Sequence, residues 1–526
     1  MKAFDSIFVN GRILAPEALA EGTGIAVAEG RVVAVAQCDE LRNGATNGTK
    51  IVDLDGGTLV PGFEDAHAHV WKIGQLLTTS LDLRGVGSIS EIRAKIAARV
   101  KVLPKGSWLL GRGFNEISLV EGRIPTCTDL DDVSYGVPVL LARTCGHIFV
   151  ANSKAMELAG ITRNSSSPDG GIVEKFADGR ASGILHETAV GMVNRVIPIP
   201  TRTEYRAMLI AALQHQLSVG ITASSDCGVL PALLDCYLEM AADGTLPARM
   251  NVMPLARPDG TTGPLKLPQK FHSDLLRVDT VKFLADGGLS GGTAALSVPY
   301  KNSASCGVTR FRQEELKELF HAANSAGWRI ATHAIGDEAI EQVLASYESL
   351  EPSPTGFAHR MEHVGLPSVQ QLQRMARANI MAVTQPIFLD ELGANFGSYL
   401  PESLNDRVYP IRSMLAAGLC VSFSSDAPVV VNDSPVAGMK AAALRRTRNG
   451  EVLLANEAVS VAESLWAYTV GSATASGEEL QRGRIREGYW ADFVLLDSNP
   501  LTTDIESLDR VKVMRTYLGG VCVFES

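Results

Sequence analysis

The chain has 526 residues, 46% hydrophobic and 20% charged, with 49 glycines and 24 prolines. That is too long for one compact core and too apolar for a largely disordered or collagen-like chain, so two or three globular units are expected. Acidic groups outnumber basic ones, 58 to 48, and Arg445-Arg446 is the densest basic spot, which excludes nucleic acid as a partner of choice.

Met1 to Val9 alternates like a strand and lacks the apolar core of a signal peptide, and no uncharged apolar run reaches the roughly 18–20 residues of a membrane span. The 8 cysteines have no C-x-x-C spacing. Free thiols in a reducing compartment follow, hence a cytoplasmic enzyme without a membrane partner.

Residues 1–60 read as short strands separated by glycine turns such as Asn10-Gly11 and Glu29-Gly30. The same texture returns at Asp492 to Asp497 and Val511 to Phe524. The two ends, 1–60 and 474–526, are therefore expected to form one small β-sandwich. Between them, in 61–473, strand and helix patterns alternate. Strands are expected at Gly62–His69, Gly220–Ser225, Met250–Leu255, Thr280–Leu284, Arg329–His333, Arg360–His363, Ile380–Thr384 and Cys420–Ser424. Several finish on a polar residue, namely Asp226, Lys282, His333, His363 and Asp426. Chemistry gathered at strand ends is what an α/β fold of the (β/α)₈ TIM-like barrel type shows, with a doubly wound sheet as the alternative. Residues 71–196 are too many for one βα loop, so they read as an insertion over the barrel mouth, a lid or specificity domain.

The first strand ends in Asp65-Ala66-His67-Ala68-His69. Alternate side chains share a face, which brings His67 and His69 about 6–7 Å apart at the Cα and lets both imidazoles address one divalent cation. Lys282, His333, His363 and Asp426 can join them as ligands for two cations. A lysine ammonium cannot ligate, but burial near cations favours the neutral amine, which captures carbon dioxide as a bridging carbamate. The competing reading pairs Lys282 with Asp286 or Asp226.

These motifs resemble the amidohydrolase superfamily, in particular its family-3 branch, which includes N-substituted formamide deformylases and is more distantly similar to D-aminoacylases. Pro61-Gly62-Phe63-x-Asp65-x-His67-x-His69, Val281-Lys282-Phe283, Thr332-His333-Ala334-Ile335-Gly336-Asp337, His359-Arg360-Met361-Glu362-His363 and Ser424-Ser425-Asp426-Ala427-Pro428 stand in that family's order. So does the insertion segment from Trp108 to Glu116 and from Pro138 to Ala155. The resemblance implies that His67, His69 and Asp426 hold one metal and His333 and His363 another, with carboxylated Lys282 bridging. One or two ions are expected, zinc first. Two positions depart from the pattern: Cys145 precedes Gly146-His147 where the family often has Asp, and Asn115 likewise replaces Asp.

The expected function is hydrolysis of a non-peptide C–N bond in a small amide, N-formyl or N-acyl substrate, by hydroxide drawn from a metal-activated water, with Asp426 as general base and acid. Hydrolysis of cyclic amides, esters or lactones at the same centre is one alternative; a non-catalytic metal-binding or regulatory barrel is another. His147 is a candidate oxyanion donor, Arg143 an anion clamp, and Glu187 a substrate contact, unless Leu185 to Val196 is an amphipathic helix with Glu187 in solvent. His186, His215, His272 and His321 read as structural or surface residues, and a homodimer is a further expectation.

Overall fold

The computed structural model describes residues 4–14, 22–258, 261 and 263–526. The middle of the chain is α/β. Eight strands run through it in chain order: β1 Phe63–Ala68, β2 Ile221–Val229, β3 Arg249–Pro254, β4 Thr280–Leu284, β5 Arg329–Ala334, β6 Arg360–His363, β7 Met381–Thr384 and β8 Val421–Phe423. Every residue of β1, β3, β5, β6, β7 and β8 is buried. Burial along the whole strand is what helices on the outside of a parallel sheet impose. Pairing is parallel throughout, β1 with β2 and β2 with β3 in one ladder, β4 to β8 in succession in another. The two ladders touch at an isolated parallel bridge between Leu255 and Lys282. At their other margins the Asp426 N–H donates to the His67 carbonyl, and the His69 N–H to the Ala427 carbonyl, both at 2.8 Å.

One unexpected addition is the hairpin Phe271–His272 with Leu276–Val278, whose second strand extends the ladder beyond β3. It lies between β3 and β4, where the sequence pattern offered only a long connection.

Residues 71–196, expected as an insertion, carry a six-stranded sheet of their own in the order Gly171–Lys175, Ala181–Glu187, Ile148–Ala151, Val139–Arg143, Leu109–Phe114, Leu81–Asp82. It has its own apolar clusters, one around Ile92, Ile96, Leu130 and Leu141, the other around Leu140, Met156 and Leu185. The helix considered for Leu185 to Val196 is not formed as such. Leu185 to Glu187 lie in a strand paired antiparallel on both sides, so the ladder has taken the backbone bonds a helix would need. Only a 3₁₀ turn, Thr188–Val190, and a single helical turn, Gly191–Asn194, follow.

The two ends of the chain meet. Thr58–Pro61 pairs antiparallel with Phe493–Leu496, and Phe8 packs edge-on against Phe493 and Tyr517 at 5.4 and 5.0 Å between ring centres. A buried ion pair from Arg249, the first residue of β3, to Asp492 ties this layer to the far ends of the parallel strands. No helix among the described residues is long and apolar enough to cross a membrane.

Helix α1, Val70–Thr78, begins directly after His69 and packs on α2, Arg202–Ser218. Thr201 and Glu204 form a capping box that sets where α2 starts. The helices meet at Gly74, where a Cβ would stand 1.8 Å from the Met208 carbonyl oxygen. Gly74→Ala is therefore expected to lower stability by about 1–3 kcal/mol, read as a fall in the denaturant midpoint. An unchanged midpoint would contradict this crossing.

Candidate metal centre

His67 leaves the end of β1 and His69 follows it, with ring centres 5.8 Å apart. Their Nε2 atoms lie 3.5 and 3.3 Å from Asp426 Oδ1, which comes from just beyond β8. That oxygen is buried and makes no hydrogen bond. One donor atom from each of the three residues falls within a sphere of contacts no longer than 4.8 Å. The His363 ring stands 4.7 Å from His67 and 4.4 Å from His333, extending the row of imidazoles around the strand ends.

Each ring is held from behind. His67 Nδ1 meets Glu362 Oε2 at 2.5 Å, His69 Nδ1 the Cys227 carbonyl at 2.9 Å, and His363 Nδ1 the Gln385 Oε1 at 2.8 Å. Gln385 is itself oriented, because its Nε2 donates to Ser424 Oγ. His333 uses Nε2 instead, 3.1 Å from the Gly287 carbonyl. All four partners are acceptors, so the proton sits on the anchored nitrogen. The other nitrogen of each ring keeps its lone pair free: Nε2 of His67, His69 and His363, and Nδ1 of His333.

Burial reinforces this assignment. It lowers the pKa of His69 to about 3 and pushes His67 and His363 below the ordinary range, so these rings are neutral. Burial alone would raise Asp426, but the neighbouring His69, His67 and His363 hold it well below the usual carboxylate range. Lys282 is 1% exposed and its pKa is lowered, chiefly by burial. Its Nζ has no hydrogen-bond partner. The pairing with Asp226 or Asp286 is not observed. Asp226 accepts from Tyr237 Oη and the Val70 N–H, and Asp286 from the N–H groups of Ala295, Ile335 and Gly336. Neutral imidazoles with free nitrogens, an unpartnered carboxylate oxygen and an unpartnered amine form a donor set that fits a divalent cation.

Residues 50–524 match the amidohydrolase family. The chain belongs to that family. It is 32% identical to the Bacillus subtilis (strain 168) protein YtcJ over 91% of each chain, and 30% identical to the N-substituted formamide deformylase of Arthrobacter pascens over 95% of this chain and 94% of that one. Among solved structures, an uncharacterized metal-dependent hydrolase from Pyrococcus horikoshii OT3 superposes with a TM-score of 0.76 at 26% identity, covering 95% of this chain and 99% of that one.

The residues that hold the amidohydrolase's rings from behind are the ones a search for ligands passes over. Glu362 is the clearest case: it lies inside a quoted motif, and its buried partner Arg360 stands two residues away on the same strand face. An i, i+2 pair of opposite charges in the short strand Arg360-Met361-Glu362-His363 was the signal. Gln385 and Cys227 carried none. Ser425 Oγ donates to Asp65.

From the insertion, His147 reaches the pocket that Asp426, His333, Phe388, Phe396 and Tyr409 also line. Its Nδ1 is 3.0 Å from Glu187 Oε2, and its ring centre 5.5 Å from that of His333. Glu187 is 3% exposed, so its place is behind His147 and not in solvent. Arg143 is no clamp for an anion in the pocket: it has no exposure, and Nε and Nη2 are bound by Glu116 at 2.7 and 2.8 Å. His186, His215, His272 and His321 bond to Glu174, Asp433, Glu478 and Ser349, away from the centre.

Burial by itself would lower the pKa of His147, but the Glu187 carboxylate outweighs it and raises the value to about 9. A histidine raised in this way stabilises the fold fully below its unfolded pKa of about 6.5 and loses that contribution as pH rises through 9. His147→Gln is thus expected to lower the denaturation midpoint most at pH 6 and progressively less towards pH 10, the gap closing by on the order of 3 kcal/mol. A gap independent of pH would contradict the pairing.

Proposed function

We propose that this amidohydrolase cleaves a non-peptide C–N bond in small amide, N-formyl or N-acyl compounds, using a divalent metal centre at the strand ends. In this reading His67, His69 and Asp426 hold one cation, His333 and His363 a second where two are bound, and Lys282 joins them as a carbamate. The carrying observation is the buried, unpartnered Asp426 Oδ1 facing the free Nε2 atoms of His67 and His69. Zinc is the first choice because neutral imidazole and carboxylate are its ordinary donors.

When bound, such a cation lowers the pKa of water towards about 7 and polarises a carbonyl oxygen. The rest falls to the chain. Asp426, ionised and within reach of the centre, takes the proton of the attacking water and returns it to the leaving nitrogen. The Glu362, Cys227, Gln385 and Gly287 acceptors hold the imidazoles still while charge shifts. Ile335, Phe388, Leu392 and Phe396 give the pocket apolar walls, which suit an apolar substituent on the substrate and keep bulk water from the reacting carbonyl. The name of the Arthrobacter relative, an N-substituted formamide deformylase, supports the choice of C–N bond.

The same reading treats the two ladders as one (β/α)₈ barrel in 61–473, with 71–196 inserted and a β-sandwich from 1–60 and 474–526. Sequential parallel strands, the Leu255–Lys282 bridge and the bonds from Asp426 and His69 across the other margin support it. Scattered free cysteines support a reducing, cytoplasmic location.

A panel of N-formyl and N-acyl amines tests the proposal. Chelation is expected to abolish turnover and zinc to restore it, and Asp426→Asn to lower kcat/KM by about 10²–10⁴-fold even with zinc in excess. Turnover that survives chelation, or an unimpaired Asp426→Asn enzyme, would overturn it.

A further inference from the structure

Tyr409 enters the hydrolytic reading only as part of the pocket wall, beside Asp426, His147 and His333. It is 1% exposed, and its hydroxyl bonds to no described residue. Asp426 Oδ1 and Lys282 Nζ are unpaired because protein encloses them, whereas the phenol oxygen is unpaired and keeps open surface. The open side of an otherwise enclosed residue on the pocket wall is the pocket, so the hydroxyl opens into it. Burial, then Asp426 and Asp286, push the phenol pKa up, so at neutral pH it keeps its proton and serves as a donor.

The backbone is an independent observation. Tyr409 has φ of 43°, in the left-handed region, which is an outlier for so bulky a side chain. Hydrogen bonds hold it there. Its N–H donates to the Gly365 carbonyl at 2.8 Å, and its own carbonyl accepts from the Ile411 N–H and from Arg445 Nη1, both at 2.9 Å. Arg445, which has no exposure, also donates through Nη2 to the Val408 carbonyl at 2.8 Å, so a buried guanidinium is committed to this turn. Gly365 stands two residues after His363 and ties the turn to a strand end of the centre. The ring is fixed as well. Phe388 meets it edge-on and Phe396 at a tilt, each at 5.9 Å between ring centres, and Phe388 in turn stacks on His363 at 6.3 Å. A fold that pins a strained backbone and its ring this firmly, yet leaves the hydroxyl unpaired, presents a donor to whatever enters the pocket.

We propose that Tyr409 is a catalytic residue, its hydroxyl donating to the substrate carbonyl oxygen and holding the negative charge that gathers there as the carbon becomes tetrahedral. This rests on the reading of the site as a C–N hydrolase centre. A planar carbonyl oxygen is a modest acceptor and an ionised one a strong acceptor, so the bond tightens as the transition state is reached. A donor already fixed in place needs no reorganisation at that moment. The phenol keeps its proton throughout, and the bond slackens again as the carbonyl re-forms and the nitrogen departs. Tyr409 is thus a donor additional to His147, which lines the same pocket. Since the hydroxyl has no partner within the fold, replacing it by hydrogen leaves no group of the folded chain unsatisfied.

Tyr409→Phe in the full-length, zinc-loaded enzyme removes the hydroxyl alone. With the N-formyl or N-acyl compound that the wild type turns over fastest, kcat should fall by about 10²–10³-fold while KM changes little. The variant should bind as much zinc as the wild type and melt at the same temperature or higher, because the fold loses no bond. A kcat reduced by less than about tenfold would overturn the role, as would a loss confined to KM, the mark of a contact made equally in the ground state. A lower melting temperature would also overturn it, since the hydroxyl would then serve the fold. A wild type that turns over nothing in the panel would bring down the proposed hydrolysis and this role together, whereas an active wild type matched by Tyr409→Phe brings down this role alone.

Discussion

The contact on which the site depends is that between His67 and Glu362. The carboxylate receives His67 Nδ1 on one oxygen and binds Arg360 through both, and Arg360 in turn donates to the carbonyls of Ala66 and Ala475. All three side chains are buried. Burial would push Glu362 towards its neutral form, but Arg360 first, then Lys282 and His67, hold it well below the usual carboxylate range. Removing Arg360 or Glu362 would leave the other as an uncompensated buried charge, which costs about 3–5 kcal/mol. This chain of bonds crosses from β6 to β1 and on to the helix Ser472–Ser476, so the imidazole that faces the centre is fixed by elements drawn from both halves of the fold.

Local strain gathers at the same rim. Asp426, His363 and Glu187 have φ of 57°, 73° and 48°, in the left-handed region that side chains other than glycine adopt at a cost of about 1–3 kcal/mol each. Each stands where a strand gives way to a loop, and each turns its side chain to the pocket or to a residue lining it. The Asp426 N–H to the His67 carbonyl and the Glu187 N–H to the His147 carbonyl keep those conformations in place. The pocket itself is closed over by two pieces of different origin: the insertion, through Cys145 and His147, and the helices Ile387–Glu391 and Gly393–Tyr399 that follow β7. Tyr399 Oη donates to Glu116 Oε1 at 3.2 Å, spanning from one to the other.

Strands such as β4, Thr280–Leu284, and β7, Met381–Thr384, were legible because burial on both faces writes itself as short, mostly apolar runs. His67 and His69 were legible together because a strand repeats every second residue. What was not legible depends on partners remote in sequence. Arg143 reads as a substrate clamp until Glu116, from the loop after a neighbouring strand of the insertion, is found to occupy it. Leu185 to Val196 has helical spacing, yet pairing with Ile148–Ala151 and Gly171–Lys175 overrides it. Lys282 could have been paired with either aspartate; that both are consumed by backbone N–H groups or by Tyr237 is a property of the loops around them and leaves no mark in their own sequence.

X-ray diffraction from zinc-loaded crystals, with anomalous maps on either side of the zinc edge, tests the central claim most directly. The account predicts a zinc peak about 2.0–2.2 Å from Nε2 of His67, Nε2 of His69 and Oδ1 of Asp426. A peak that lies elsewhere, or is bonded through the Nδ1 atoms that Glu362 and the Cys227 carbonyl hold, would contradict it.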